Sequence, residues 1–189
     1  MTGLTMIARF VTAALALGLV SGAPLAAQDM AGFSKGPVFT EYGAVARVES
    51  DLPVGPETHF KVVYNVHEGA EPGEVLRAFD TAARFINMNV AAGVPEKNIA
   101  VALVVHGKAG WDLTSDAAYA AHFDGKAQAN ASGKLVGQLL AHGVKIYICG
   151  QSAKAMGIDR SDLIPGVQVA LSAMDAFALL QQQGYVLLP

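Results

Sequence analysis

The chain has 189 residues, which is enough for one domain with a substantial core. Hydrophobic residues make up 52% of it, charged residues 15%, and the net charge is −3. Charges of both signs are scattered along the chain and form no basic run, so we expect no nucleic-acid partner.

The N-terminus has the pattern of a cleaved secretory signal peptide. Arg9 precedes an uncharged apolar run over residues 10–20, and small residues then lead to Ala27. The run is shorter than the roughly 20 residues that a membrane-spanning helix needs. No cysteine follows the small residues, which argues against a lipoprotein. We therefore predict a signal peptide over residues 1–27, a periplasmic protein, and no integral membrane segment in the mature chain.

Residues 28–58 form a predicted N-terminal extension. Glycine and proline interrupt every longer periodicity there, and one short strand is expected at 44–48. The pattern is typical of an extended arm or of a segment that contacts a partner, and it does not reveal a function.

From residue 59 onward the pattern alternates between strands and helices. Runs of β-branched and apolar residues predict five strands, at 61–66, 99–105, 145–149, 167–171 and 185–188. Apolar spacing and capping residues predict the helices between them. They run from Val75 to Val90, from Asn130 or Ser132 through Leu140, over 151–156, and from the Ser172 capping box to Gly184, with a turn or two of helix within 111–123.

This alternation predicts a single α/β domain over residues 59–189. The expected architecture is a three-layer, flavodoxin-like fold with a five-stranded parallel sheet flanked by helices. If the strands follow the order 2-1-3-4-5, the order reverses between the first and third strands, where ligands bind in such sheets. Cys149, which ends the third strand, would then lie in that crevice with His67 across it.

Cys149 is the only cysteine, so an intrachain disulfide and a cysteine-based metal site are both excluded. It lies where a strand meets a short helix, and the N–H groups of Gly150 and Gln151 are candidates to stabilise its thiolate. In an oxidising compartment an unpaired cysteine is either a free reactive thiol or a buried, inert one. The residues alone leave both readings open.

Two histidines are predicted at the same edge of the sheet. His67 follows the first strand and His106 follows the second, so both are candidate assistants to Cys149. The candidate binding residues at this edge are Gly107, Gly150 and Gln151. A metal would need a third ligand such as Glu68, and no compact ligand spacing is present, so we predict no metal site. His106 is also interpreted as a hydrogen-bonded residue of the sheet edge. The remaining histidines are expected at the surface or its boundary: His59, His122 and His142.

The same edge of the predicted sheet also lacks the sequence features of a cofactor site. The loop after the first strand carries Glu68 and Glu71 and has no serine or threonine, which disfavours a bound phosphate. No dinucleotide-binding or Walker sequence occurs, and no nucleophile elbow of the α/β-hydrolase type is present. We therefore predict no cofactor.

The residues around Cys149 resemble the DsrE/DsrF-like family of small α/β sulfur-handling proteins. The resemblance is carried by residues 139–158, 163–167 and 176–184, and by 104–107 and Asn130. It implies a five-stranded parallel sheet in homo- or hetero-oligomers. In the sulfur-relay members a cysteine after this strand carries sulfur as a persulfide and passes it to a partner protein, and Cys149 matches that position. The export signal and the N-terminal extension depart from the cytoplasmic relay members.

Three functions follow as hypotheses. The first is a periplasmic sulfur carrier that uses Cys149 as its persulfide site and exchanges sulfur with a donor or acceptor protein. The second is a non-catalytic homo-oligomeric binding or scaffold protein in which the cysteine is structural. The third, which has less support, is a metal- or ligand-binding protein at the histidine edge. A carrier need not turn over a small substrate, so the sequence leaves enzymatic activity open.

Overall fold

A computed structural model describes residues 30–188. The predicted signal peptide and its cleavage site lie outside the described residues. The main sheet consists of β3 (Phe60–Val66), β4 (Ile99–Val105), β5 (Lys145–Cys149), β6 (Gln168–Ala170) and β7 (Val186–Leu188). The α-helices are α1 (Arg77–Ala91), α2 (Asp116–His122), α3 (Gly133–Ala141), α4 (Gly150–Met156) and α5 (Ala173–Gln182). A two-stranded antiparallel sheet is formed by β1 (Phe33–Ser34) and β2 (Val45–Ala46).

The predicted α/β architecture is confirmed. All four strand pairs of the main sheet are parallel, and each of its five strands is found within a residue of its expected bounds. The strand expected at 44–48 is shorter, Val45–Ala46. Residues 107–113 form a 3-10 helix that precedes α2, so the irregular segment contains more helix than expected.

The strand order 2-1-3-4-5 is wrong. The observed order is β6-β5-β4-β3-β7, so the chain adds strands in one direction and then returns to the other side of β3. The physical reason lies in β4, whose continuous apolar run from Ile99 to Val105 has to be covered on both faces. The central place in the sheet provides that cover and separates β5 from β3 by one strand.

The two faces of the sheet are covered unequally. Alternate residues of β3, β4 and β5 pack against α1 and α3. These strand and helix residues together form the larger hydrophobic core. On the opposite face Val63, Ala102 and Val104 pack against Ala176 and Leu180 of α5. The result is the expected three-layer arrangement, with α5 on the second face.

Part of the N-terminal extension packs against its own domain. Phe39 is 1% exposed and belongs to the larger core. The side chain of Asn87, on α1, accepts hydrogen bonds from the N–H groups of Val38 and Phe39, and it donates to the carbonyls of Phe39, Tyr42 and Gly43. The extension beyond β2 is more exposed, and Val48 and Leu52 are turned largely to solvent. Among the described residues, no helix has the length and apolar character to cross a bilayer.

Candidate functional site

The candidate site lies at the edge of the sheet where the parallel strands end. Cys149 is the last residue of β5, and it lies in register with Ala170 at the end of β6. Two helices therefore begin side by side at this edge, because α4 follows β5 directly and α5 follows β6 after two residues. Each helix start presents N–H groups that have no partner within its own helix.

The sulfur of Cys149 lies at both helix starts. Cys149 occupies the N-cap position of α4, and its Sγ accepts a hydrogen bond from the N–H of Ser152 at 3.4 Å. The N–H groups of Gln151 and of Ala173, the first residue of α5, also face the sulfur. The whole residue is 5% exposed. The thiol is thus largely shielded from solvent and surrounded by backbone donors.

These donors decide the ionisation of the thiol. Burial raises the pKa of Cys149, but hydrogen bonds from the Ser152 side chain and from the N–H groups of Ser152, Ala173 and Gln151 outweigh burial and lower the pKa below its ordinary value. A carboxylate next to the sulfur would oppose this effect, and none among the described residues contributes to the shift. The site therefore favours the thiolate, which is the nucleophilic form of cysteine.

Ser152 links the sulfur to the neighbouring strand. Its Oγ accepts a hydrogen bond from the N–H of Gly107 at 3.4 Å, and the same side chain contributes to the lowered pKa of the Cys149 thiol. Since the Gly107 N–H occupies a lone pair of the hydroxyl oxygen, the hydroxyl proton is free to point at the sulfur. Gly107 has a φ of +57°, and a Cβ there would lie 3.0 Å from the carbonyl oxygen of His67. A glycine is needed for this close turn.

Gly150 allows β6 to approach the cysteine. A Cβ at this position would lie 2.7 Å from the carbonyl oxygen of Ala170 and 3.3 Å from that of Leu171. The Gln151 side chain also reaches this segment, because its Nε2 donates to the carbonyl of Leu171 at 3.2 Å. Gly150 and Gln151, both predicted as binding residues, thus lie between the two helix starts.

The two histidines form a pair at the ends of β3 and β4. Their rings stack with centroids 5.7 Å apart, and Nε2 of His67 lies 3.4 Å from a carboxylate oxygen of Glu68. Nε2 of His106 is hydrogen-bonded to the Asn65 amide oxygen at 2.7 Å, as expected for a residue of the sheet edge. Partial burial and the neighbouring His67 lower the pKa of His106, so its imidazole is neutral at neutral pH.

The histidine pair does not face Cys149 across a crevice, as the 2-1-3-4-5 order predicted. With β4 between β3 and β5, His67 is one strand further from the cysteine than expected. Within residues 30–188 neither histidine forms a hydrogen bond with the sulfur. The contacts that lead from His106 to the sulfur run through its neighbour Gly107 and through Ser152. The other three histidines are exposed, as predicted.

No group of three or more His, Cys, Asp or Glu side chains in the described part of the chain is arranged to hold a metal ion. A buried polar network lies nearby instead. The carboxylate of Asp112 accepts hydrogen bonds from the Ala70 N–H and the Ser132 hydroxyl, both at 3.1 Å. Burial raises the pKa of Asp112 although these hydrogen bonds oppose the shift. Asn130 donates to the carbonyls of Asp112 and Thr114, and so its role in the fold is structural.

Sequence reasoning missed Ser152 and Ala173, the two residues that complete the donor set. Ser152 lies three residues after the cysteine, which is the spacing at which an N-cap side chain meets a helix N–H group. Ala173 lies within the predicted capping box, and the Ser172 Oγ does accept from the Asp175 N–H at 3.1 Å. The capping box therefore predicted where α5 begins. That α5 begins next to the sulfur follows only from the pairing of β5 with β6.

Fold and site together define a parallel α/β protein with one shielded, acidified thiol at the carboxyl edge of its sheet. The family model of the DsrE/DsrF-like family matches residues 68–189. The chain belongs to the DsrE/DsrF-like family, a family of the sulfur-relay type.

Two solved structures are similar to this chain. MTH1491 from Methanobacterium thermoautotrophicum, described as a protein of unknown function, is 19% identical with a TM-score of 0.50, and the match covers 68% of this chain and 97% of that one. The ychN protein from E. coli is 15% identical with a TM-score of 0.49, over 68% of this chain and 99% of that one. No curated protein matches the chain.

Proposed function

We propose that this protein is an exported sulfur carrier that holds sulfur as a persulfide on Cys149. The observation that carries the proposal is the position of the sulfur at two helix starts, where several N–H groups and the Ser152 hydroxyl lower the thiol pKa. Membership of the DsrE/DsrF-like family supports the same chemistry. His67 and His106 remain proposed assistants, and their influence would run through Gly107 and Ser152.

The transfer needs no cofactor. The Cys149 thiolate attacks the outer sulfur of a donor persulfide, the sulfur–sulfur bond of the donor breaks, and the donor leaves as a thiolate. A thiolate of the acceptor then attacks the outer sulfur on Cys149, and Cys149 leaves as a thiolate. The two steps exchange one sulfur–sulfur bond for another with no net oxidation or reduction. A lowered pKa favours both the attacking and the leaving role of Cys149.

The proposed location is the periplasm, on the basis of the signal-peptide pattern in residues 1–27. A lone thiol in an oxidising compartment is exposed to unwanted disulfide formation. Cys149 is 5% exposed, and this shielding restricts access by bulky oxidants and other thiols. The proposed donor and acceptor are proteins or small persulfides that can reach the edge between α4 and α5.

Sulfur loading on Cys149 is the first testable expectation. After incubation with a persulfide donor and removal of excess reagent, intact-mass and peptide analysis should show the gain of one sulfur atom on the Cys149 peptide. Cys149→Ser should show no gain. A folded wild-type protein that gains no sulfur on Cys149 would count decisively against the carrier function.

A second candidate is a non-catalytic homo-oligomeric scaffold in which Cys149 is a packing residue. It is favoured by the low exposure of Cys149 and by exposed apolar side chains on and beside α5, among them Leu171, Met174 and Leu179. The scaffold predicts that Cys149→Ser leaves the assembly state unchanged and that the native thiol resists alkylation. Fast alkylation of the native protein would favour the carrier.

A further inference from the structure

The start of α5 reaches the sulfur through a short segment that few side chains hold in place. Leu171 is 74% exposed, so its side chain adds little packing to the junction between β6 and α5. Ser172, at the N-cap of α5, uses its Oγ to cap Asp175. The N–H of Ala173, which this cap does not occupy, faces the sulfur.

One side chain crosses from α4 to this segment. Gln151 lies in the first turn of α4, and its Nε2 donates to the Leu171 carbonyl at 3.2 Å. Gly150 permits the approach, because a Cβ there would collide with the carbonyl of Ala170. The hydrogen bond therefore joins the two helix starts, two residues before Ala173.

We propose that Gln151 is a positioning residue whose side-chain amide, by holding the Leu171 carbonyl, keeps the Ala173 N–H on the Cys149 sulfur. The inference rests on the proposed function of Cys149 as a thiolate, and it adds a residue whose side chain acts through the backbone of another helix. Without the amide, the exposed Leu171 segment moves away from α4 and the sulfur loses one of its donors. The thiolate is then less stabilised, while the core of the fold is unaffected.

The test compares two substitutions that remove the hydrogen bond in different ways. Gln151→Met keeps the length of the side chain and removes its donor. Gln151→Asn keeps an amide that is too short to reach Leu171. The rate of alkylation of Cys149 by iodoacetamide is measured against pH for each protein. Gln182→Met, at an exposed glutamine near the far end of α5, is the matched control.

Both Gln151 variants are expected to move the midpoint of the pH profile upward and to slow alkylation below that midpoint about threefold, as for the partial loss of one hydrogen bond to a charged group. Gln182→Met should follow the wild-type profile, and all variants should keep the wild-type melting temperature. Faster amide exchange at Ala173 in both Gln151 variants would support the inference independently.

A wild-type midpoint retained in either Gln151 variant would overturn the inference. So would a wild-type midpoint equal to that of an unperturbed cysteine, since no donor would then need positioning. The test uses alkylation alone. A protein that shows the expected shifts but accepts no sulfur from a persulfide donor would contradict the carrier function and leave the role of Gln151 intact.

Discussion

Replacing Ser152 by alanine is expected to slow the alkylation of Cys149 about tenfold at a pH below the thiol midpoint. The Ser152 side chain lowers the pKa of the Cys149 thiol, and one hydrogen bond to a charged group contributes roughly 1.5 kcal/mol, which corresponds to about one order of magnitude in the thiolate population. The N–H of Ser152 remains in the variant and keeps its own bond to Cys149. The measurement is the pH profile of iodoacetamide alkylation, followed by the rate of sulfur loading.

The ionisation of the Cys149 thiol also makes the free energy of unfolding depend on pH. Because folding lowers the pKa of Cys149, the folded state favours the thiolate. Its stabilising contribution is fully present above the pKa of the unfolded thiol and is lost as pH falls through the folded pKa. The advantage of wild type over Cys149→Ala in the free energy of unfolding should therefore grow with rising pH in this window, and Ser152→Ala should reduce that growth.

Two controls make the Ser152 result specific. Ser152→Thr restores a hydroxyl and should recover most of the wild-type rate. Ser161→Ala removes an exposed serine of the short 3-10 helix Arg160–Asp162 and should leave the profile unchanged. An unaltered profile in Ser152→Ala would show that backbone donors alone set the reactivity of the thiol, and the assignment of the hydroxyl would be wrong.

The elements of the fold were predictable because their signals are local. The five strands and the start of α5 follow from short apolar runs and one capping box. Strand order depends on contacts between segments that are distant in the chain, and the predicted flavodoxin-like order was wrong. The sequence nevertheless contained a pattern that bears on this order. An edge position for the second strand would expose Ile99–Val105, which is apolar throughout. Requiring cover on both faces of that strand would have placed it near the centre of the sheet.

In the candidate site, too, only the features that depend on local sequence could be predicted. The end of a strand located Cys149 at the carboxyl edge, and the histidines fell at the same edge for the same reason. The partners of the sulfur depended on which strand lies next to β5. Since that neighbour is β6, the start of α5 supplies a donor, and since the other neighbour is β4, Gly107 meets Ser152. Neither contact is encoded in spacing along the chain.

The N-terminal extension illustrates a contact that no pattern predicted. Asn87 is buried on α1, where periodicity alone would place an apolar residue, and it forms five hydrogen bonds with the backbone of the extension. Gly43 passes so close to α1 that a Cβ would lie 2.4 Å from the Arg84 nitrogen. A buried asparagine in a helix is costly unless all its groups are bonded, so this side chain holds the extension in place.

Asn87→Ala is therefore expected to lower the free energy of unfolding by about 2–4 kcal/mol, because several buried backbone groups lose their partner at once. For a chain of this size the melting temperature should fall by roughly 5–15 °C. Amide exchange at Val38 and Phe39, which donate to Asn87, should become much faster.

Asn89→Ala is the matched control. Asn89 is also buried on α1, but its amide bonds to the carbonyl of Phe85 within the same helix, so a smaller loss is expected. Equal losses in the two variants, with Val38 and Phe39 still protected, would mean that the apolar contacts of Phe39 hold the extension without Asn87.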